Sequence, residues 1–106
     1  MHIQLINFNL KDATEEQYLK ICEELAPTFG SMPGLLTKFW LADRANNIFG
    51  GVYVWKDRAA MDAYMASEVA AAVVSHPNLT NITSKDFDIL VTPTRVTRGF
   101  PPNVVS

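Results

Sequence analysis

Ile48-Phe49-Gly50-Gly51-Val52-Tyr53-Val54-Trp55 is the stretch that decides the fold. Its β-branched and aromatic residues suit a strand. Successive side chains of a strand point to opposite faces, so Val52 and Val54 share one side, and Tyr53 and Trp55 share the other. Neither side is polar. Such a strand belongs in the interior of a sheet covered on both faces. The paired glycines inside it mark a bulge or a close approach by another group.

On the N-terminal side, Asp43-Arg44-Ala45-Asn46-Asn47 is a polar loop short enough for a hairpin, and Leu35 to Leu41 before it forms the partner strand. Gly30 and Pro33-Gly34 make the preceding turn. Upstream of that turn, Tyr18, Ile21, Cys22, Leu25 and Phe29 recur every three or four residues, the stripe of an amphipathic helix. Thr14 with Gln17 is a capping-box pattern that starts the helix, and Pro27 is expected to end or kink it. His2 to Leu10 is a strand, with Ile3, Leu5 and Asn7 on one face and Ile6, Phe8 and Leu10 on the other.

On the C-terminal side, Asp57 caps a second helix whose apolar side carries Met61, Tyr64 and Met65. Ser67 bends or restarts it, and Val69, Val73 and His76 continue at helical spacing to Pro77. Asn78 to Ser84 is expected to be a polar loop, and Asp86 to Thr92 a fourth strand with Phe87, Ile89 and Val91 alternating. Residues 1–94 then form one ferredoxin-like α+β domain, βαββαβ, with a four-stranded antiparallel sheet. Residues 95–106 form an extended C-terminal arm lying across a partner subunit. Both helices cover one face of the sheet. The other face would be polar if it met water, yet the third strand offers no polar face and the second has only Thr37 and Lys38 as polar members. A second copy of the same sheet is its simplest cover, so the chain is expected to be a homodimer.

The net charge is −2 with no Lys/Arg cluster, so a nucleic-acid footprint is absent. No apolar run approaches the ~18 residues of a membrane helix. The single cysteine, Cys22, excludes an intrachain disulfide, and the N-terminus has no signal-peptide pattern. A cytoplasmic location is expected. No hydrolase elbow, zinc-ligand spacing, phosphate loop or dinucleotide fingerprint occurs, and two histidines with one cysteine argue against a protein-built metal site.

Pro33-Gly34-Leu35, Lys38, Trp40, Gly50 to Val54, Ala63-Tyr64-Met65 and Phe87-Asp88-Ile89, in that order and spacing, resemble the YdhR-type monooxygenase family over nearly the whole chain. The resemblance implies a dimeric α+β barrel with a pocket between sheet and helices in each subunit. Relatives of this fold include cofactor-independent monooxygenases acting on aromatic polyketides, haem-degrading enzymes, isomerases and stress-induced proteins. It implies a monooxygenase that takes a small aromatic or quinol-type substrate and O₂ without a cofactor.

Such chemistry needs an apolar pocket, a base or acceptor that forms an oxidisable anion, and donors for charge developing on oxygen. Trp40, Tyr53, Trp55 and Phe39 are candidate substrate-binding walls. Asn7, Lys38, Tyr64 and His76 are candidate catalytic groups. Each has a structural reading beside it. The aromatic residues suit core strands, and Tyr64 suits the helix–sheet seam. Asn7 suits an edge or bulge. Lys38 can reach solvent or pair with Asp86 or Asp88. A protonated His76 would complement a helix C-terminus. Two further functions stay open. One is a non-catalytic dimer binding a small apolar ligand. The other is haem degradation, which in this fold uses a first-strand asparagine, a second-helix tryptophan and a histidine ten residues later. Asn7 matches the first, but Tyr64 and Val74 occupy the other two positions.

Overall fold

Strand alternation holds from the first residues. In β1 (His2–Leu10), His2, Gln4, Ile6 and Phe8 are buried and the residues between them only half-buried. The computed structural model describes residues 1–100. Helix α1 (Glu15–Gly30) begins at Thr14 with both halves of the capping box formed. It does not end at Pro27 but continues to Gly30. Phe29, buried against Tyr53, Tyr64 and Trp40, holds the last turn in place. Burying a phenylalanine yields ~1.5–3 kcal/mol, comparable to the ~3 kcal/mol that an interior proline costs.

Strand β2 (Leu35–Asp43), a single 3₁₀ turn (Arg44–Asn46) and β3 (Ile48–Trp55) form the hairpin. Asn47, in the left-handed region at φ 53°, closes it. Helices α2 (Arg58–Met65) and α3 (Glu68–Val74) are capped by Asp57 and Ser67, so the serine restarts the helix. The fourth strand starts earlier than its sequence suggests. β4 spans Leu79–Asp88, and its register runs from Leu10 opposite Leu79 to His2 opposite Asp88. Thr80, Asn81, Thr83 and Ser84 look like a loop because β4 is an edge strand with one side unpaired. Asn81, at φ 54°, adopts a left-handed conformation beside the register shift between Asn7 and Asn9. The alternation of Phe87, Ile89 and Val91 does not continue the strand, because Val91 begins a short helix, α4 (Val91–Val96). That helix also replaces the start of the expected extended arm. The rest of the arm, beyond residue 100, lies outside the described residues.

The sheet is antiparallel in the order β2-β3-β1-β4, which is the ferredoxin-like α+β fold. The main core cluster sits on one face. Ile6, Phe8, Phe49, Tyr53 and Trp55 of the sheet pack against Phe29, Met61, Tyr64 and Ala70 of the helices. No helix covers the face that carries Leu5, Phe39, Leu41, Val52 and Phe87. Phe39 is 59% exposed there and Phe87 54%.

At one end of the core the sheet buries polar groups in pairs. Trp55, wholly buried, donates its indole N–H to Gln4 Oε1 at 2.9 Å, and Gln4 Nε2 donates to Ser84 Oγ at 3.1 Å and to Met65 Sδ at 3.2 Å. Beside them His2 places its two ring nitrogens 2.6 Å from Asp86 and 2.9 Å from Asp88. Trp55→Phe leaves Gln4 Oε1 without its donor and opens a small void. Urea unfolding should register a loss of about 2–4 kcal/mol. Adding Gln4→Met, which removes the other partner, should recover part of it.

Candidate active site

The hairpin register sets Lys38 directly opposite Tyr53, and Trp40 opposite Gly51. This pairing puts a lysine and two aromatic rings on the helix-facing side of the sheet. Across the gap, α1 presents Tyr18, Cys22, Leu25 and Phe29, and α3 presents Val69 and Val73. They enclose a cavity of about 500 Å³, within the usual size of small-molecule sites. Most of its wall is apolar. Glu24, Thr28, Glu68 and His76 also border it.

Lys38 is the group that sequence composition would not place indoors. Its Nζ lies 3.5 Å from the ring centroids of both Phe29 and Trp40, and 4.5 Å from that of Tyr53. A cation is attracted to each of these faces. Among the described residues no carboxylate lies within ion-pair distance of it. Asp86 and Asp88, the partners its sequence offers, are taken by His2. Gly51 makes room for this arrangement, since a Cβ there would sit 3.0 Å from Lys38 Cε and 3.2 Å from the Tyr53 ring. Burial without a counter-ion penalises the ammonium and pushes its pKa down to about 7, and the nearby Cys22 only partly opposes this.

The other ionisable groups against the cavity shift the opposite way. Burial raises Tyr18 and Tyr53 above the ordinary phenol range, and raises the Cys22 thiol. Tyr18 is hydrogen-bonded to Cys22 one turn along α1, and Tyr53 to Tyr64. Held neutral, these hydroxyls are hydrogen-bond donors rather than bases, and the thiol is not a thiolate nucleophile. The lysine amine is therefore a base of suitable strength near neutral pH, set among aromatic rings.

The eight residues singled out from sequence separate into three places. Lys38, Trp40, Tyr53 and His76 border the cavity. Tyr64 and Trp55 stand one layer behind it. Tyr64 backs Tyr53 with ring centroids 5.6 Å apart, and Trp55 stacks on Tyr53 at 5.9 Å. Neither Tyr64 nor Trp55 forms cavity wall. Asn7 and Phe39 lie on the opposite, helix-free face. The register puts Asn7 across from Gly50 and beside the β1–β4 bulge, where its structural reading placed it. His76 sits at the cavity edge, where its Nδ1 accepts the backbone N–H of Asn78 at 3.1 Å. Phe29, Tyr18 and Cys22 were visible in sequence only as a core stripe. Their cavity role follows from the way α1 lies over Lys38.

Haem does not fit this arrangement. Asn7 is on the wrong face, Tyr64 is locked in the core, and Val74 is exposed.

No curated protein matches the chain in sequence. Several solved structures share its fold at low identity. A Nitrosomonas europaea protein of unknown function superimposes with a TM-score of 0.71 at 17% identity, covering 84% of this chain and 88% of that one. SnoaB, a cofactor-independent oxygenase from Streptomyces nogalater, gives 0.67 at 19% identity, covering 86% and 95%. The haem degrader MhuD from Mycobacterium tuberculosis gives 0.68 at 17%, covering 86% and 97%. At these identities the likeness is one of fold, and the fold serves more than one chemistry. The family model described as "Putative mono-oxygenase ydhR" matches residues 3–100, nearly the whole chain. The chain belongs to that YdhR mono-oxygenase family.

Proposed function

We propose that the chain is a cofactor-independent monooxygenase acting on a small aromatic or quinol-type substrate in the cavity between the sheet and helices α1 and α3. The observation that carries this reading is the Lys38 amine, buried among Phe29, Trp40 and Tyr53 without a counter-ion. As a neutral amine it takes the proton of a phenol or an activated C–H, and as the resulting ammonium it holds the anion beside it. The electron-rich anion then reduces O₂. For a reacting methylene, one oxygen atom becomes the new carbonyl and the other leaves as water: R₂CH₂ + O₂ → R₂C=O + H₂O. The substrate supplies all four electrons. The fold shared with SnoaB supports this reading, as does the misfit of the haem residue set.

Oxygen uptake by metal-stripped protein with a panel of anthrones and hydroquinones tests it, with ¹⁸O₂ label expected in the product. Absence of uptake across a panel whose members bind would overturn the oxygenase reading and leave a small-ligand binder.

The working unit in this proposal is a homodimer joined through the helix-free face of the sheet. The support is the apolar surface that no helix covers, with Phe39 and Phe87 exposed and Leu41 and Val52 half-buried on it. Sedimentation equilibrium should find dimers at micromolar concentration. Phe39→Asp buries a charge at the seam and should weaken association by at least about tenfold.

A further inference from the structure

Lys38 combines three features that proton transfer alone does not require. Its amine is free of any ion pair among the described residues, it borders a half-open cavity of about 500 Å³ with room for two fused rings, and the surrounding wall is mainly apolar. The other four lysines, Lys11, Lys20, Lys56 and Lys85, are exposed. We infer that Lys38 is also a covalent capture site for carbonyl compounds, and that it forms an imine with aromatic aldehydes or ketones that enter the cavity. This goes beyond the oxygenase reading and needs no oxygen.

The step balances as a condensation. The Nζ lone pair attacks the carbonyl carbon and the C=O π bond breaks. A proton then passes from nitrogen to the alkoxide, giving a carbinolamine. Its hydroxyl leaves as water as the C=N bond forms, so the sum is R–NH₂ + O=CHR′ → R–N=CHR′ + H₂O. Nothing is oxidised or reduced. Two features of the site favour the product. An apolar wall keeps water activity low, which opposes hydrolysis. The protonated imine is itself a cation, and it inherits the faces of Phe29 and Trp40 at the 3.5 Å positions now held by the ammonium. The depressed pKa keeps a large share of the amine in its nucleophilic form near neutrality, whereas exposed lysines stay almost fully protonated.

The probe is 2-naphthaldehyde, given to the full folded chain anaerobically at pH 7.5 with cyanoborohydride. The hydride converts any imine to a stable secondary amine that intact mass and peptide mapping can locate. The expected result is one adduct at Lys38, formed at least about tenfold faster than at any of the exposed lysines. Lys38→Arg keeps the charge but cannot form the imine, and should bind the aldehyde without labelling at position 38. Comparable rates at all five lysines, or an unlabelled Lys38 in the folded chain, overturn the inference. Because oxygen is absent and the probe is not an oxidisable quinol, that failure is separate from failure of the oxygenase assay.

Discussion

Gly50→Ala is expected to remove more than about 4 kcal/mol of stability, enough to unfold much of a domain whose total is ~5–15 kcal/mol. Gly50 lies in β3 at φ +149°, opposite Asn7 of β1. A Cβ there would stand 1.9 Å from the carbonyl oxygen of Ile6, 2.8 Å from its carbon and 3.0 Å from Asn7 Cα. These are backbone atoms of the central strand pair, so no rotamer change relieves the clash. The strands must part, and the β1–β3 ladder on which both halves of the sheet depend is lost locally. Gly30→Ala is the control. It meets nothing within 4 Å, lies at the end of α1, and should be neutral or slightly stabilising. Circular dichroism and urea melts of the two variants separate a specific steric demand from a general intolerance of alanine.

Lys38→Met is expected to do two opposite things: raise stability by about 1–3 kcal/mol at neutral pH and abolish turnover. The stability gain follows from removing a charge that the fold buries without a counter-ion. Its pH dependence has a definite sign. The folded-state pKa, about 7, lies below the ordinary lysine value of 10.5. Below pH 7 both folded and unfolded chains carry the proton, and the cost of burying it is fully present. Between pH 7 and 10.5 the unfolded chain holds a proton that the folded chain has released, so wild-type stability rises with pH. The methionine variant lacks that rise. Melts from pH 6 to about 8 suffice, because at higher pH the Cys22 thiol and then the buried tyrosines, with raised pKa values, act in the opposite direction. A lysine retained at the cost of stability is the pattern of a residue kept for function. In the oxygen assay, kcat/KM should climb as pH passes through about 7 and then level. Lys38→Arg, always protonated, should lose that climb.

Much of the fold was legible because its signals are local. The bounds of β1 and β3, the Thr14 capping box, the Asp57 cap and the Ser67 restart each depend on a few adjacent residues. The misreadings came where distant packing overrides local preference. Phe29 holds α1 past Pro27, and pairing with β1 turns the polar Leu79–Ser84 stretch into an edge strand. The site divides the same way. Trp40 shares the face of Lys38 by simple strand alternation, but whether Tyr53 joins them depends on the β2–β3 register. That register shifts between Leu35 and Thr37, a break that no pattern in the residues announces. Asn7 was placed on the face of Ile3 and Leu5 from sequence, correctly, but which face the helices would choose was not legible. That choice is made by β1 as a whole, whose other face carries Ile6 and Phe8 into the core.

Titration of the five lysines by ¹³Cε NMR of the folded chain tests the buried, unpaired amine most directly. One signal, assigned through Lys38→Arg, should have its midpoint near 7, well below the 10.5 of an ordinary lysine. A Lys38 midpoint at or above 10 would mean an ammonium that is hydrated or paired, and would contradict both its role as a base and its capture of carbonyls.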